Sequence, residues 1–168
     1  MEPVLSNILH THSKSHSQLL TIWEASVRAT HAFLNEQHIT QIKALIIQHH
    51  YFDHVQLFHV ERNAKIIGFM GLAYNKIEML FIDPEFFNQG IGTQLIQHAL
   101  SLGAYEVDVN EQNPNALSFY KKHGFEQVAR SEFDAEGNPF PILHLKCKKQ
   151  AMPFSNDNPS QQNFQPCH

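Results

Sequence analysis

Two glycines, Gly90 and Gly92, stand where the chain changes from one pattern to another. The stretch FIDPEFFNQGIGTQL, Phe81 to Leu95, follows a β-type run from Ile77 to Ile82. Asp83-Pro84 and a polar turn come next, then Gly90-Ile91-Gly92, then an amphipathic run. That order reads as strand, turn, glycine-rich loop and helix N-terminus. Glycine lets a backbone approach a ligand closely. Exposed N–H groups and the helix dipole then favour an anion, most simply a phosphate or pyrophosphate. A Gly-x-Gly also ends strands for purely structural reasons, so the pair needs a companion motif.

The companion is VDVNEQNPNALSFYKKHGF, Val107 to Phe125. It reads as a second strand, a turn with Pro114, and a short helix that carries Tyr120 and stops at Gly124. Together the two segments resemble the GNAT superfamily of acyl-CoA-dependent N-acyltransferases. The first resembles its coenzyme A pyrophosphate loop, Arg/Gln-x-x-Gly-x-Gly/Ala. The second resembles its later signature, Asn-x-x-Ala-x-x-x-Tyr followed by Gly-Phe, here Asn113, Ala116, Tyr120, Gly124 and Phe125. The resemblance spans roughly Val4 to Lys148. WEASVRATHAFL, Trp23 to Leu34, and SEFDAEGNPFPILHL, Ser131 to Leu145, resemble a small single-domain bacterial branch, the YjaB type.

The resemblance implies an N-acetyltransferase that moves an acetyl group from acetyl-CoA to a small-molecule or peptide amine by direct attack. Residues Phe87, Asn88, Gln89, Gly90, Ile91, Gly92 and Thr93 would hold the pyrophosphate. Leu80, Phe81 and Ile82 would offer main-chain bonds to the pantetheine arm and the thioester carbonyl. The coenzyme would lie where this strand splays from the next. Asn113, Ala116, Phe119 and Tyr120 would complete the coenzyme side. Phe87 departs from the pattern, because the family carries Arg or Gln there, and Gln89 does not restore the register. Tyr120 would be the general acid, since a phenol with an ordinary pKa of about 10 keeps its proton at neutral pH. Glu78, His31 or water would take the proton of the attacking amine. Trp23, Arg28, His31 and Phe33 would line the acceptor pocket, and the C-terminal hairpin would close it.

Other chemistries fit less well. His10, His12 and His16, and His49, His50 and His54, form two clusters, but neither has ligand spacing with Cys or carboxylates, so no metal is expected. Cys147 has only His144 nearby in sequence, and nothing resembles an activated Cys or Ser. A dinucleotide-binding reading lacks the third glycine and the surrounding βαβ alternation. A non-catalytic acyl-CoA-binding module with the same fold is the remaining alternative; Phe87 favours it, whereas Tyr120 and the glycine pair disfavour it.

The elements that must position these groups are legible in outline. Val4 to Leu9 reads as a strand and Ser15 to Leu34 as mostly helical, with Leu19, Leu20, Trp23 and Val27 on one face. A second helix is expected after an N-cap at Thr40. Val55–Val60 and Lys65–Tyr74 flank a hairpin turn at Arg62-Asn63-Ala64, and Lys76–Asp83 follows. A helix over Gly90–Leu102, a strand over Tyr105–Asn110, a helix over Pro114–His123, and strands over Glu126–Phe133 and Pro141–Lys148 complete an α/β (α+β) pattern. About seven strands in a mixed sheet and four helices are expected, as one domain over residues 1–148.

With 168 residues, 42% hydrophobic content and thirteen Phe, the chain can bury a sizeable core. A net charge of −4 gives no reason to expect nucleic acid, and suits an amine substrate. Two cysteines, Cys147 and Cys167, are no disulfide framework and fit a reducing compartment. Residues 1 to 30 lack an apolar core behind a basic start, and no stretch reads as a membrane span, so a cytoplasmic protein is expected. A homodimer is compatible with the sequence. Residues 149–168 are rich in Gln, Asn, Pro and Ser and read as a flexible polar tail.

Overall fold

The structure, a computed structural model, describes residues 7–148. The first three residues of the expected opening strand and the whole of the expected tail lie outside that range. Among the described residues, seven strands form one sheet in the order β1-β2-β3-β4-β5-β7-β6. They are β1 (Ile8–His10), β2 (Gln56–Arg62), β3 (Lys65–Ala73), β4 (Lys76–Ile82), β5 (Glu106–Asn110), β6 (Phe125–Ser131) and β7 (Ile142–Cys147). All neighbours pair antiparallel except β4 and β5. The α-helices among the described residues are four, α1 (His16–Thr30), α2 (Glu36–Gln48), α3 (Ile91–Ser101) and α4 (Pro114–Lys122). The mixed α/β sheet flanked by four helices is the expected one.

Helices cover both faces. On one, Leu19, Trp23 and Val27 of α1 and Ile39 and Ile46 of α2 pack with Phe69 of β3. On the other, Ile91, Leu95, Ile96 and Ala99 of α3 and Tyr120 of α4 pack with Met70, Ile77, Val107 and Val109. The side-chain period of two in β5 therefore sends Val107 and Val109 under α3 and α4, and Asp108 to the opposite face.

The second helix begins earlier than expected. Asn35, not Thr40, is its N-cap, and its Oδ1 accepts from the His38 N–H at 2.9 Å. His38 Nδ1 accepts in return from the Asn35 N–H at 3.3 Å. The pair is a capping box with His where Glu or Gln usually stands, so its signature was easy to miss. The first helix is correspondingly shorter and ends at Thr30, with His31 as its C-cap. The β2–β3 hairpin turns at Asn63 and Ala64, both left-handed at φ 52 and 60. Two consecutive positive φ values match the strand twist.

Two irregularities in β4 matter for the site. β4 and β5 pair only at Lys76–Glu106 and Ile77–Val107, and beyond these they part. Opposite β3, Met79 pairs with Gly71 but Ile77 with Leu72, leaving Glu78 as the extra residue of a β-bulge. A bulge bends its strand and re-aims a side chain.

Candidate active site

Where β4 and β5 part, a cleft of about 980 Å³ opens. Its walls come from residues 77–82 of β4 and 107–110 of β5, from the C-terminal end of α1, from the N-terminal turn of α3, and from one side of α4 along its length. Every coenzyme-side candidate from the sequence lines it except Gln89. The side chain of Gln89 is turned away, and its Oε1 accepts from Arg62 at 2.7 Å.

At one end of the cleft lies the glycine loop. Asp83 Oδ1 accepts from the Glu85 N–H at 3.0 Å and caps the short 3₁₀ turn Pro84–Phe86. Asn88 and Gly90 then adopt φ values of 59 and 81, which reverse the chain into α3. The two glycines are needed for different reasons. A Cβ at Gly90 would meet nothing within 4 Å, so that position needs glycine for its backbone conformation. A Cβ at Gly92 would meet Phe119 at 3.2 Å, so glycine there admits the aromatic ring. The N–H groups of Ile91, Gly92 and Thr93 begin the helix and have no acceptor within it. Thr93 Oγ1 lies 3.3 Å from His123 Nε2. Burial, and secondarily the neighbouring Lys122, hold the His123 pKa below its usual value.

Tyr120 is buried at the floor of the cleft, edge-to-face with Phe119 and Phe125. Burial pushes its pKa up, so the phenol keeps its proton across the physiological range. Asn113 lines the cleft and is the N-cap of α4: its Oδ1 accepts from the Ala116 N–H at 3.2 Å.

The α1 side supplies Ser26, Thr30 and His31. Thr30 donates its one hydroxyl proton to the Ser26 carbonyl at 2.8 Å. Its oxygen then accepts from His31 Nδ1 at 2.7 Å. The network thus assigns the proton of the neutral imidazole to Nδ1 and leaves the Nε2 lone pair free. Burial lowers the His31 pKa to about 4, so the ring is neutral at pH 7. Glu78, at the bulge, and Asp108, on β5, are carboxylates of the same cleft.

The other acceptor-side candidates are dispersed. Trp23 is 5% exposed and belongs to the core beneath α1 rather than to the lining. Arg28 forks onto Glu36, with Nη2 to Oε2 at 3.0 Å, and also approaches Glu24. Phe33 is not part of the cleft lining; its ring contacts those of His31 and Phe140. Phe140 also meets His38 edge-on at 5.1 Å, so the β6–β7 loop clasps the α1–α2 connection.

Several lining residues escaped the sequence reading. Asn115, Ser118 and Lys122 sit on one face of α4 with Phe119, at helical spacing that could have identified them. Asp108 is the polar alternate of a β run. Its neighbours needed the sheet register to be seen: Lys76 Nζ donates to Asp108 Oδ2 at 2.6 Å, and His144 Nδ1 donates to Asp108 Oδ1 at 2.7 Å. Burial alone would raise the Asp108 pKa, but these two donors outweigh it and hold the carboxyl below its usual range. His144 therefore serves Asp108 and not Cys147, whose thiol faces the His123 and Lys148 carbonyls. Among the described residues, no group of three or more His, Cys, Asp or Glu is arranged to hold a metal ion. Nor is any helix among them long and apolar enough to cross a membrane.

Known proteins share this architecture. Residues 14–146 match the acetyltransferase (GNAT) domain family. The peptidyl-lysine N-acetyltransferase YjaB of Salmonella typhimurium is 38% identical over 144 residues, covering 84% of this chain and 98% of that protein. Its Escherichia coli counterpart is 37% identical over 141 residues, covering 83% and 95%. The solution structure of apo YjaB from Escherichia coli superposes with a TM-score of 0.77 at 35% identity, covering 85% of this chain and 97% of that one. With the loop, the parted strands and these relatives together, the chain belongs to the GNAT acetyltransferase family, in its YjaB type, and is an acyltransferase.

Proposed function

We propose that this protein transfers an acetyl group from acetyl-CoA to the ε-amine of a lysine in a peptide or protein. The observation that carries the reading is the cleft at the β4–β5 divergence, which joins two unlike ends. One end offers the free N–H groups of Ile91–Thr93 and, from α4, Lys122. That end suits a pyrophosphate. The other end carries the Glu78 and Asp108 carboxylates, which suit a cationic amine. The acceptor class is supported by the relatives, which are named peptidyl-lysine acetyltransferases. A solved relative in fold, PaiA from Thermoplasma acidophilum, is described in complex with coenzyme A.

The residues divide the work as follows. The glycine loop and Asn113 hold the coenzyme. The β4 edge freed by the splay offers backbone donors to the thioester carbonyl, where they gain strength as its oxygen becomes negative. Tyr120 donates its proton to the departing thiolate. The free Nε2 of His31 accepts the proton of the attacking amine, with Glu78 holding the ammonium beforehand. A ring whose pKa is near 4 is a weak base, so its role is to pass the proton on to water.

Thermal unfolding with and without acetyl-CoA, with NAD as control, tests the coenzyme site. A hundredfold excess over Kd adds about 2.7 kcal/mol, a rise on the order of 5 °C. Thiol release with a lysine-bearing peptide then tests turnover. No rise with acetyl-CoA would overturn the reading. A rise without turnover on any amine would support the coenzyme-binding module that Phe87 favours.

A further inference from the structure

On the sheet face away from α3 and α4, three adjacent strands align a serine, a histidine and an aspartate. β5, β7 and β6 are neighbours, and His144 pairs in register with Asp108 on one side and Ala129 on the other. Ser131 lies two residues along β6 from Ala129, so its side chain rises on the same face. Ser131 Oγ lies 2.7 Å from His144 Nε2, and His144 Nδ1 lies 2.7 Å from Asp108 Oδ1. The second Asp108 oxygen is fixed by Lys76 at 2.6 Å.

The order of these contacts decides the proton positions. Asp108 is held ionised by Lys76 and His144, so His144 Nδ1 must be the donor to it. The neutral ring then has its lone pair on Nε2, and Ser131 donates to it. This is a hydroxyl with a base in hydrogen-bond reach, and the base is oriented by a third group. That constellation marks an activated nucleophile whatever fold carries it. β6 is an edge strand, and Ser131 is half-buried rather than sealed in.

We propose that Ser131 is a nucleophilic serine, with His144 as its base and Asp108 as the residue that positions His144, and that it takes acyl groups from activated carboxylic esters or thioesters. Ser131 Oγ attacks the acyl carbon while its proton passes to His144 Nε2. The C–O or C–S bond of the donor breaks, and the leaving alcohol or thiol carries that proton away. Water, deprotonated by His144, then cleaves the acyl-serine, giving the carboxylic acid and free Ser131. The step needs no residue of the acetyl-transfer cleft other than Asp108, and it stands independently of the function proposed above.

The full chain is treated with a fluorophosphonate probe, and the modified residue is mapped by mass spectrometry. One label per chain at Ser131 is expected, absent from Ser131→Ala and formed at least about 100-fold more slowly in His144→Gln. Melting temperatures of the variants are recorded beside the labelling. A network that merely fastens three strands would lower the melting temperature of His144→Gln and leave the wild-type and variant labelling rates equal. Equal rates, label on other residues, or no label overturn the proposal. Incubation with p-nitrophenyl acetate in one arm and acetyl-CoA in the other, followed by a search for acetyl-Ser131, separates esters from the coenzyme thioester as donors. Acetyl-Ser131 in either arm supports the proposal, and its absence from both overturns it.

Discussion

Thr30 has one proton to give, and where it goes decides what His31 can do. With that proton on the Ser26 carbonyl, the His31 ring is fixed with Nε2 bare. Burial then keeps it neutral, with a pKa of about 4 against an ordinary 6.5. The sign of the stability effect follows. The folded pKa is depressed, so between pH 6.5 and 4 the unfolded chain binds more protons than the folded one. The contribution, on the order of 3 kcal/mol, is present above pH 6.5 and is lost as pH falls toward 4. Melting temperature measured across that window should fall less steeply in His31→Gln than in the wild type. Tyr120 has the opposite bias, towards the protonated phenol that an acid requires. Tyr120→Phe should lower kcat about 100-fold or more while the melting shift on adding acetyl-CoA persists. An unchanged kcat would remove Tyr120 from the mechanism.

At the scale of elements, the glycine loop separates two kinds of need that the sequence shows as one motif. Gly90→Ala should cost about 1–2 kcal/mol in stability, because alanine resists φ 81. Gly92→Ala should instead push Phe119, and so weaken acetyl-CoA binding more than it lowers the melting temperature. Melting curves of both variants with and without the coenzyme distinguish them. The clasp of Phe140 on Phe33 and His38 is a second element-level device. Phe140→Ala should raise KM for a peptide acceptor several-fold and leave the acetyl-CoA shift intact. These elements differ in how far the sequence reveals them. The glycine loop and α4 were legible because each is a local pattern, with turn residues and periodicity in one continuous stretch. The α2 cap is hidden in the sequence because His38 stands where a capping box usually has Glu or Gln. Trp23 is a pocket candidate only through the resemblance of the Trp23–Leu34 segment, whereas the helical period already puts it on the apolar face with Leu19 and Val27, where the structure has it. Ser131, His144 and Asp108 meet only through strand register, and no short-range pattern announces that.

For the whole molecule, the two helical layers depend on one sheet. Phe69 is fully buried in the α1/α2 core, and its neighbour Met70 in the α3/α4 core. Phe69→Ala should therefore destabilise by about 3–5 kcal/mol and still unfold in one transition, followed by urea with two probes. Loss of coincidence between the probes would show that the two layers melt separately. The sheet itself is a different matter. Its middle seam is only two residue pairs long, Lys76–Glu106 and Ile77–Val107. Mechanically this is a four-strand plate and a three-strand plate welded at one corner, with the weld at the opposite end of β4 from the glycine loop. A notch concentrates strain at its tip, so under thermal agitation the amides of Ile77 and Val107 should open together, ahead of those in β3. A ligand wedged along the notch would act as a splint, and hydrogen exchange at those two positions should slow on its binding by more than at any pair remote from the seam.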